Sequence, residues 1–139
     1  VKPTLDAMSS TDDVHAWCDE VVAYHAASMA SIRCPIGSLI HQLGEDDEAA
    51  RSALRTGFAH WERLLEAGLE RVADRGGLAA GSNARTLAAA LLAAYQGGLL
   101  LANVSGDVAP LRRALQGITQ AALTSGPPSK NKRDRVRTV

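Results

Sequence analysis

The sequence predicts an all-α domain, and three observations support this prediction. The chain is rich in alanine, leucine and arginine, whereas aromatic residues make up only 4% of it, and this mixture favours helix over sheet. Apolar residues recur every three or four positions over long stretches, which is the period of an amphipathic helix. The length of 139 residues fits one domain that can bury about two-thirds of its unfolded surface. We therefore expect one domain of five helices.

The first predicted helix follows residues 1–12, which we interpret as a linker or the end of a preceding helix. Thr11 or Asp12 can cap the helix. It ends before Pro35, because the residue before a proline is disfavoured in helical geometry. Its apolar row has helical spacing and consists of Val14, Trp17, Val21, Tyr24 and Ser28.

A short second helix and a long third one are predicted next. Pro35 occupies a favoured first-turn position of the short helix, and Leu39 is one of its apolar residues. The long helix begins after Asp46 or Asp47 and runs to about Arg75. One face of it is apolar and the other is charged, so we expect it to lie against a single layer with its back to water. The apolar face includes Phe58, Trp61 and Leu65.

The fourth predicted helix, from about Ala84 to Val104, carries leucine, alanine and glycine on every side. Its most apolar stretch, residues 87–102, is shorter than the ~20 residues needed to span a bilayer, so we expect a buried helix and no membrane. A helix that is apolar all round must be covered all round, and a second copy of the chain is the simplest cover. Gly97 and Gly98 each cost about 1 kcal/mol in mid-helix, which suggests a close helix crossing.

The fifth predicted helix begins at Asp107, tolerates Pro110 in its first turn and ends at Gly126. In two copies of the chain, the last two helices would form an intermolecular four-helix bundle with two-fold symmetry. We therefore expect a homodimer. Residues 13–125 form the predicted domain. We expect residues 126–139 to form a flexible basic tail, with a nucleic-acid-binding arm as the alternative.

Charge and cysteine content narrow the function. Residues 1–125 carry 14 acidic and 10 basic side chains, a net charge of −4. This part of the chain therefore has no strong positive electrostatic field to attract DNA phosphates. Cys18 and Cys34 lie 16 residues apart, which is neither a metal spacing nor a disulfide framework. This favours a reducing cytoplasm, with a redox pair as the alternative.

No catalytic or cofactor motif is recognisable, since the sequence has no phosphate loop, nucleophile elbow or Cys-x-x-Cys pair. We therefore expect neither an enzyme nor a cofactor. His15 and Cys18 are three residues apart and could share a metal, but two ligands do not make a site. Glu62, Glu66 and Glu70 form a solvated row, because a dimetal bundle site needs Glu-x-x-His pairs.

The aromatic residues of the chain all lie on apolar helix faces, and they are Trp17, Tyr24, Phe58, Trp61 and Tyr95. Core packing is one explanation. Trp and Tyr, however, carry polar tips that need partners when buried. With His25, Ser28 and His41 nearby in helical register, they could line an apolar pocket with a few polar anchors. Composition leaves both interpretations open.

Three short motifs follow one another along the chain. They are Cys34-Pro-Ile-Gly-Ser-Leu39 in a turn, Gly57-Phe-Ala-His-Trp-Glu62 in the long helix and Gln96-Gly-Gly-Leu-Leu-Leu-Ala102 in the apolar helix. In this order and at these spacings, the chain resembles the C-terminal half of TetR-family transcriptional repressors over about residues 13–124.

The resemblance implies an effector-binding and dimerisation domain, in which a small apolar or amphipathic ligand lies among the middle helices and the last two helices form the dimer. It implies ligand contacts from Trp17, Val21, Tyr24, Leu39, Phe58, Trp61 and Leu65. It implies dimer contacts from Leu91, Tyr95, Gly98, Leu101, Leu111 and Leu115.

The DNA-reading unit of this family is an N-terminal helix-turn-helix, and the residues before Thr11 are too few for it. We therefore interpret the sequence as a piece of a longer regulator or as a form without the reading head. We expect DNA binding only through that missing N-terminal domain, and no operator binding by this chain alone. The alternative function is an all-helical homodimeric interaction module with no small-molecule ligand.

Overall fold

The computed structural model describes residues 2–28 and 47–125, and it confirms the all-α prediction for them. The helices are α1 Lys2–Ala7, α2 Thr11–Ala27, α3 Glu48–Asp74, α4 Ala84–Ser105 and α5 Ala109–Ala122. The short helix predicted after Pro35, which includes Leu39, and the tail predicted over residues 126–139 lie outside the described residues. The intermolecular bundle remains a prediction.

Helix α4 lies at the centre of the described fold. It packs against α3 and α5, while α5 also contacts α2, and α1 contacts both α2 and α3. The loop after α3 joins the end of α5 through two backbone hydrogen bonds, in which Ala79 N donates to Ala122 O and Thr124 N donates to Gly77 O. These contacts enclose one hydrophobic core.

The first residues, interpreted from the sequence as a linker or the end of a preceding helix, form helix α1 and belong to this core. Leu5 and Met8 are fully buried. Met8 lies against Gly68 of α3, where a Cβ atom would come within 3.0 Å of the Met8 sulfur. The guanidinium of Arg71 on α3 donates to the carbonyl oxygens of Met8 at 2.7 Å and Asp6 at 3.0 Å. Because the last carbonyls of a helix have no partner within it, Arg71 supplies the hydrogen bonds that end α1.

Replacing Arg71 by alanine is expected to lower the free energy of unfolding by about 1–3 kcal/mol, because it leaves the carbonyls at the end of α1 without these donors. Amide exchange in α1 should accelerate at the same time. Urea denaturation and hydrogen exchange measure the two effects. Arg63→Ala, an exposed position on the same helix, is the control and should change neither. Equal effects of both substitutions would contradict the role of Arg71.

Helix α2 begins with a reciprocal capping box. The cap is Ser10, one residue before Thr11 and two before Asp12, the two caps predicted from the sequence. Its side chain accepts a hydrogen bond from Asp13 N at 3.2 Å. The Asp13 carboxylate accepts from the backbone N–H groups of Ser9 and Ser10, both at 2.9 Å. The hydrogen bond from the Ser9 backbone, followed by the one with the Ser10 side chain, lowers the pKa of Asp13 below its ordinary value.

This lowered pKa predicts an acid-sensitive helix start. The ionised Asp13 contributes its stabilisation above the ordinary aspartate pKa, and that contribution is lost as the pH falls through the lower pKa of the folded state. Asp13→Asn should therefore flatten the fall in stability between about pH 5 and about pH 2, as measured by urea midpoints across that range. Asp12→Asn, an exposed neighbour in the same turn, is the control and should keep the slope of the parent chain.

The other helix ends follow local signals in the sequence. Asp47 caps α3 by accepting from Ala50 N, and Asn83 caps α4 by accepting from Thr86 N. Gly106 ends α4 in the left-handed conformation, with φ of 66°, which glycine adopts at little cost. Helix α5 begins at Ala109, two residues after the predicted Asp107, whose side chain accepts from Ala109 N.

The packing of α3 differs from its predicted pattern. Its fully buried residues all come from the second half of the helix and are Leu65, Gly68, Leu69 and Val72. The apolar residues of the first half, Phe58 among them, are only partly covered by the described chain. The long apolar face of α3 therefore contacts the core along part of its length.

Candidate functional site

Helix α2 turns a mixed row of side chains towards the core. Trp17, Val21 and His25 lie one turn apart and are buried. Tyr24, predicted as a member of this row, is 60% exposed. The true row follows a spacing of four residues, which places His25 inside and leaves Tyr24 on the outer side of the helix.

Three rings from α2 and α4 form a cluster in this part of the core. The ring of Tyr95 on α4 meets the Trp17 indole edge to face, with centroids 6.4 Å apart and an interplanar angle of 69°. It also lies 5.7 Å from the His25 ring. Tyr95 Oη and His25 Nε2 are hydrogen-bonded at 2.9 Å. Tyr95, predicted as a dimer contact, is half-buried and is hydrogen-bonded to α2 of its own chain.

The cluster is polar within an apolar interior and carries no net charge at neutral pH. Burial lowers the pKa of His25 below its ordinary value, which favours the neutral imidazole. Among the described residues, the buried polar or charged side chains are His25 and Thr119. The Thr119 hydroxyl donates within its own helix, to the carbonyl oxygens of Leu115 and Gln116.

One donor in the cluster has no partner. The indole Nε1 of Trp17 is buried, and no hydrogen-bond acceptor reaches it in the described structure. Arg51 Nε on α3 is buried in the same way, although the rest of that side chain is only half-buried. Nearly all buried polar groups in native proteins have a hydrogen-bond partner, so these two donors are exceptions.

Helix α3 contributes aromatic rings beside this core. Phe58 and Trp61 are half-buried and pack against the core cluster, and Leu65 is fully buried within it. The sequence-predicted ligand residues thus divide into buried ones, Trp17, Val21 and Leu65, and half-buried ones, Phe58 and Trp61. Tyr24 faces outward, and Leu39 lies outside the described residues.

The sequence pattern offered His25 as a polar anchor and Tyr95 as a ring of a possible pocket, but the ligand contacts implied by the resemblance did not include His25, and the resemblance placed Tyr95 at a dimer interface. A signal for His25 was available, because Trp17, Val21 and His25 are spaced at i, i+4 and i+8, which places them on one helix face. No comparable signal existed for Tyr95, since α4 is apolar on every side and its pattern does not distinguish inner from outer faces.

A second surface of interest lies on α4. Leu100, Leu101 and Val104 are large apolar side chains with more than half of their surface exposed, reaching 79% for Val104. Gly97 lies one turn before Leu101, and space around it is open. These residues, Gly97, Leu100, Leu101 and Val104, share one side of the helix and are called the outer face of α4.

The remaining positions predicted as dimer contacts are buried within one protomer. Leu91, Leu111 and Leu115 are at most 1% exposed. A Cβ atom on Gly98 would lie 2.8 Å from the Cα atom of Leu111. The close crossing signalled by this glycine is therefore between α4 and α5 of the same chain, and the four positions are corrected to core residues. Leu101 keeps the exposure that an interface residue needs.

Helix α4 is also long and apolar enough to cross a membrane, by length and composition alone. At 22 residues it exceeds the apolar stretch seen in the sequence, so length does not exclude a span. The core helix of a soluble protein passes the same test. In the protomer, 39% of the most apolar window of α4 is buried, where the helix packs against α3 and α5.

Metal and thiol chemistry find little support in the part of the chain that the structure describes. It contains no group of three or more His, Cys, Asp or Glu side chains arranged to hold a metal ion. Cys18 is buried, and burial raises the pKa of its thiol to about 12. This thiol stays protonated at neutral pH and packs as a small apolar side chain.

Comparison with known proteins identifies a family and two similar folds. A family model described as the LmrA/YxaF-like C-terminal domain of transcriptional regulators matches residues 10–116. The fold is similar to that of the regulatory protein TetR from Rhodobacter sphaeroides, with a TM-score of 0.74, 19% identity and coverage of 86% of this chain and 67% of that one. It is also similar to a TetR transcriptional regulator from Chloroflexus aurantiacus J-10-FL, with a TM-score of 0.63, 20% identity and coverage of 83% and 60%. No curated protein matches the chain.

Proposed function

The chain belongs to the LmrA/YxaF-like C-terminal domains of TetR-family transcriptional regulators, and from this premise we propose that it is the ligand-sensing and dimerisation domain of a TetR-like repressor. It spans 67% and 60% of the length of the two regulators with similar folds. Operator binding, repression and a cytoplasmic location are therefore proposed for the whole regulator. In it, a ligand that binds one conformation better than another would shift the population between them.

The observation that carries the sensing role is the cluster of Trp17, His25 and Tyr95. Small-molecule sites in proteins are mostly apolar, with a few polar groups that orient the ligand. This cluster places an indole N–H and a His–Tyr hydrogen bond inside a core otherwise made of aliphatic side chains. The half-buried Phe58 and Trp61 on α3 add the flat apolar surfaces that an aromatic or acyl ligand would contact.

Ligand sensing is tested by screening the chain against a library of apolar aromatic and fatty acyl compounds. Native mass spectrometry detects retained ligand, and thermal shift detects stabilisation, which at a ligand concentration of about 100 times Kd amounts to about 2.7 kcal/mol. We expect a subset of aromatic compounds to bind. No retained or stabilising compound in either measurement would favour the alternative, a homodimeric helical interaction module without a ligand.

The dimerisation role rests on the outer face of α4. Exposed leucine and valine side chains clustered on one helix side are typical of interaction surfaces rather than of free surface. A second copy of the chain is the proposed occupant, because Gly97 lets two helices approach closely at the centre of this face. The dimer proposed here uses Leu101 and its outer-face neighbours. It does not use the four core positions predicted from the sequence.

A further inference from the structure

The imidazole of His25 is buried at the C-terminal end of α2. It is 6% exposed and is the basic residue of the last turn. The backbone N–H of Ser28, which caps this end of the helix, donates to the carbonyl oxygen of His25 at 3.2 Å. Helix ends open at a lower free energy than core segments do, so only the last turn of α2 has to move for this ring to reach water.

The titratable groups that face this ring are uncharged tyrosines. Tyr95 of α4 is hydrogen-bonded to it, with 2.9 Å between Oη and Nε2, and the Tyr24 ring of α2 meets it edge to face with centroids 5.1 Å apart. Tyrosine hydroxyls carry no charge at neutral or acidic pH. Helices α1 and α5 also contact α2. The charged side chains whose burial the structure describes on α1, α4 and α5 are all exposed, and they are Asp6, Arg85, Arg112 and Arg113.

Within the described residues, no carboxylate lies beside His25 to compensate a positive charge. The nearest carboxylates on α2 are those of Asp19 and Glu20, more than one turn away along the helix, and Glu20 accepts a hydrogen bond from Thr4 Oγ1 of α1. Burial is accordingly the cause that lowers the pKa of His25.

Protonation changes which position of the ring is favoured. Inside the core, an imidazolium would be a buried charge without a counter-ion, which is unfavourable. Outside, at the end of α2, the same charge faces the negative end of the helix dipole, which stabilises cations. The neutral ring is held inside by its hydrogen bond to Tyr95, whereas the charged ring is favoured in water.

We infer that His25 and Tyr95 form an acid-sensitive contact between α2 and α4, which is closed while the imidazole is neutral and opens when it takes up a proton. Because the open form binds the proton more readily than the closed one, the contact weakens as the pH falls below the ordinary histidine pKa of about 6.5. Trp17 reports the change, since its indole packs edge to face against Tyr95. Neither a ligand nor a second copy of the chain is needed for this response.

The experiment is an NMR titration of the parent chain from neutral pH down to about pH 4.5, which spans the ordinary histidine range and the range below it. The His25 ring signals should titrate with a midpoint below about 6.5. The nuclear Overhauser contact between the His25 and Tyr95 rings should disappear over the same range, and the Trp17 indole N–H signal should shift with it. His25→Gln keeps a polar side chain that takes up no proton, so its Trp17 signal should stay constant. His15→Gln removes an exposed histidine of the same helix and should keep the transition of the parent chain.

Circular dichroism over the same range distinguishes a local opening from unfolding of the chain. The helix signal should be retained, and its loss together with the ring contact would overturn the inference. So would a ring contact that persists after His25 is protonated, a midpoint at or above about 6.5, or a Trp17 shift that persists in His25→Gln. The parent titration decides the question even if His25→Gln does not fold, because the ring contact is observed without a substitution.

Discussion

Replacing Gly98 by alanine is expected to lower the free energy of unfolding by about 1–3 kcal/mol, and replacement by leucine by more. The added Cβ would lie 2.8 Å from Leu111 Cα and 2.9 Å from Leu111 Cδ1. The side-chain atom can rotate away, but the backbone atom can move only if α4 and α5 separate. Because that crossing lies in the core, separation also opens the contacts of the buried Leu91 and Leu115. For a domain with an ordinary stability of about 5–15 kcal/mol, this is a large loss.

Gly97→Ala is the matched control for this prediction. It makes the same change one residue earlier in the same helix, where a Cβ meets nothing within 4 Å. Alanine favours helix over glycine by about 0.5–1 kcal/mol, so this variant should be more stable than the parent at a protein concentration where both are monomeric, because in the proposed dimer its Cβ would also meet the partner helix. Urea denaturation of all three proteins at one protein concentration measures the difference, since dimer stability depends on concentration. A Gly98→Ala variant as stable as Gly97→Ala would show that the two helices do not cross this closely.

The two glycines also show what could be predicted from the sequence. That a mid-helix glycine pair marks a close crossing follows from the cost of glycine in a helix. Which helix crosses there does not follow, because partners within and between chains require the same small residue. In the structure, Gly98 packs against α5 of the same chain, whereas no atom lies within 4 Å of a Cβ placed on Gly97.

Helix ends were predictable because their signals are local. Asp47, Asn83 and Gly106 each act through atoms within a few residues, so short sequence windows contain the cause. Inner and outer faces were predictable only where polar residues mark them, as on α3. The uniformly apolar α4 has no such marks, so its pattern could not correct the dimer contacts that the resemblance implied for the buried Leu91 and the half-buried Tyr95.

The candidate site was predictable in composition but not in arrangement. Trp17 and Val21 follow from helical spacing. The partnership of His25 with Tyr95 joins residues 70 positions apart, and such a pair depends on how α2 packs against α4. The placement of Tyr24 was wrong because the chosen row stepped three residues from Val21, whereas the buried row steps four.

Replacing Leu101 by glutamate is expected to convert a dimer into a folded monomer, weakening association by at least about 100-fold. Leu101 is 58% exposed in the protomer, so the charge costs a single chain little. In a two-fold dimer through the outer face of α4, each copy would bury an unpaired carboxylate. An uncompensated buried charge costs about 3–5 kcal/mol. A loss of about 2.8 kcal/mol already weakens association 100-fold. Val104→Glu should act in the same direction. Sedimentation velocity at micromolar concentrations measures the change, and circular dichroism checks that each variant is folded.

Ala73→Glu separates the effect of this surface from the effect of added charge. It places the same carboxylate at an exposed position on α3, away from the outer face of α4, and should leave the dimer intact. A parent chain that sediments as a monomer at micromolar concentration would contradict the dimer itself. A Leu101→Glu variant that remains dimeric would instead show that the second copy packs on another surface. If Leu101→Glu gives a folded monomer that still binds a compound retained by the parent chain in the library screen, ligand sensing belongs to the single protomer, because the Trp17 cluster lies entirely within one chain.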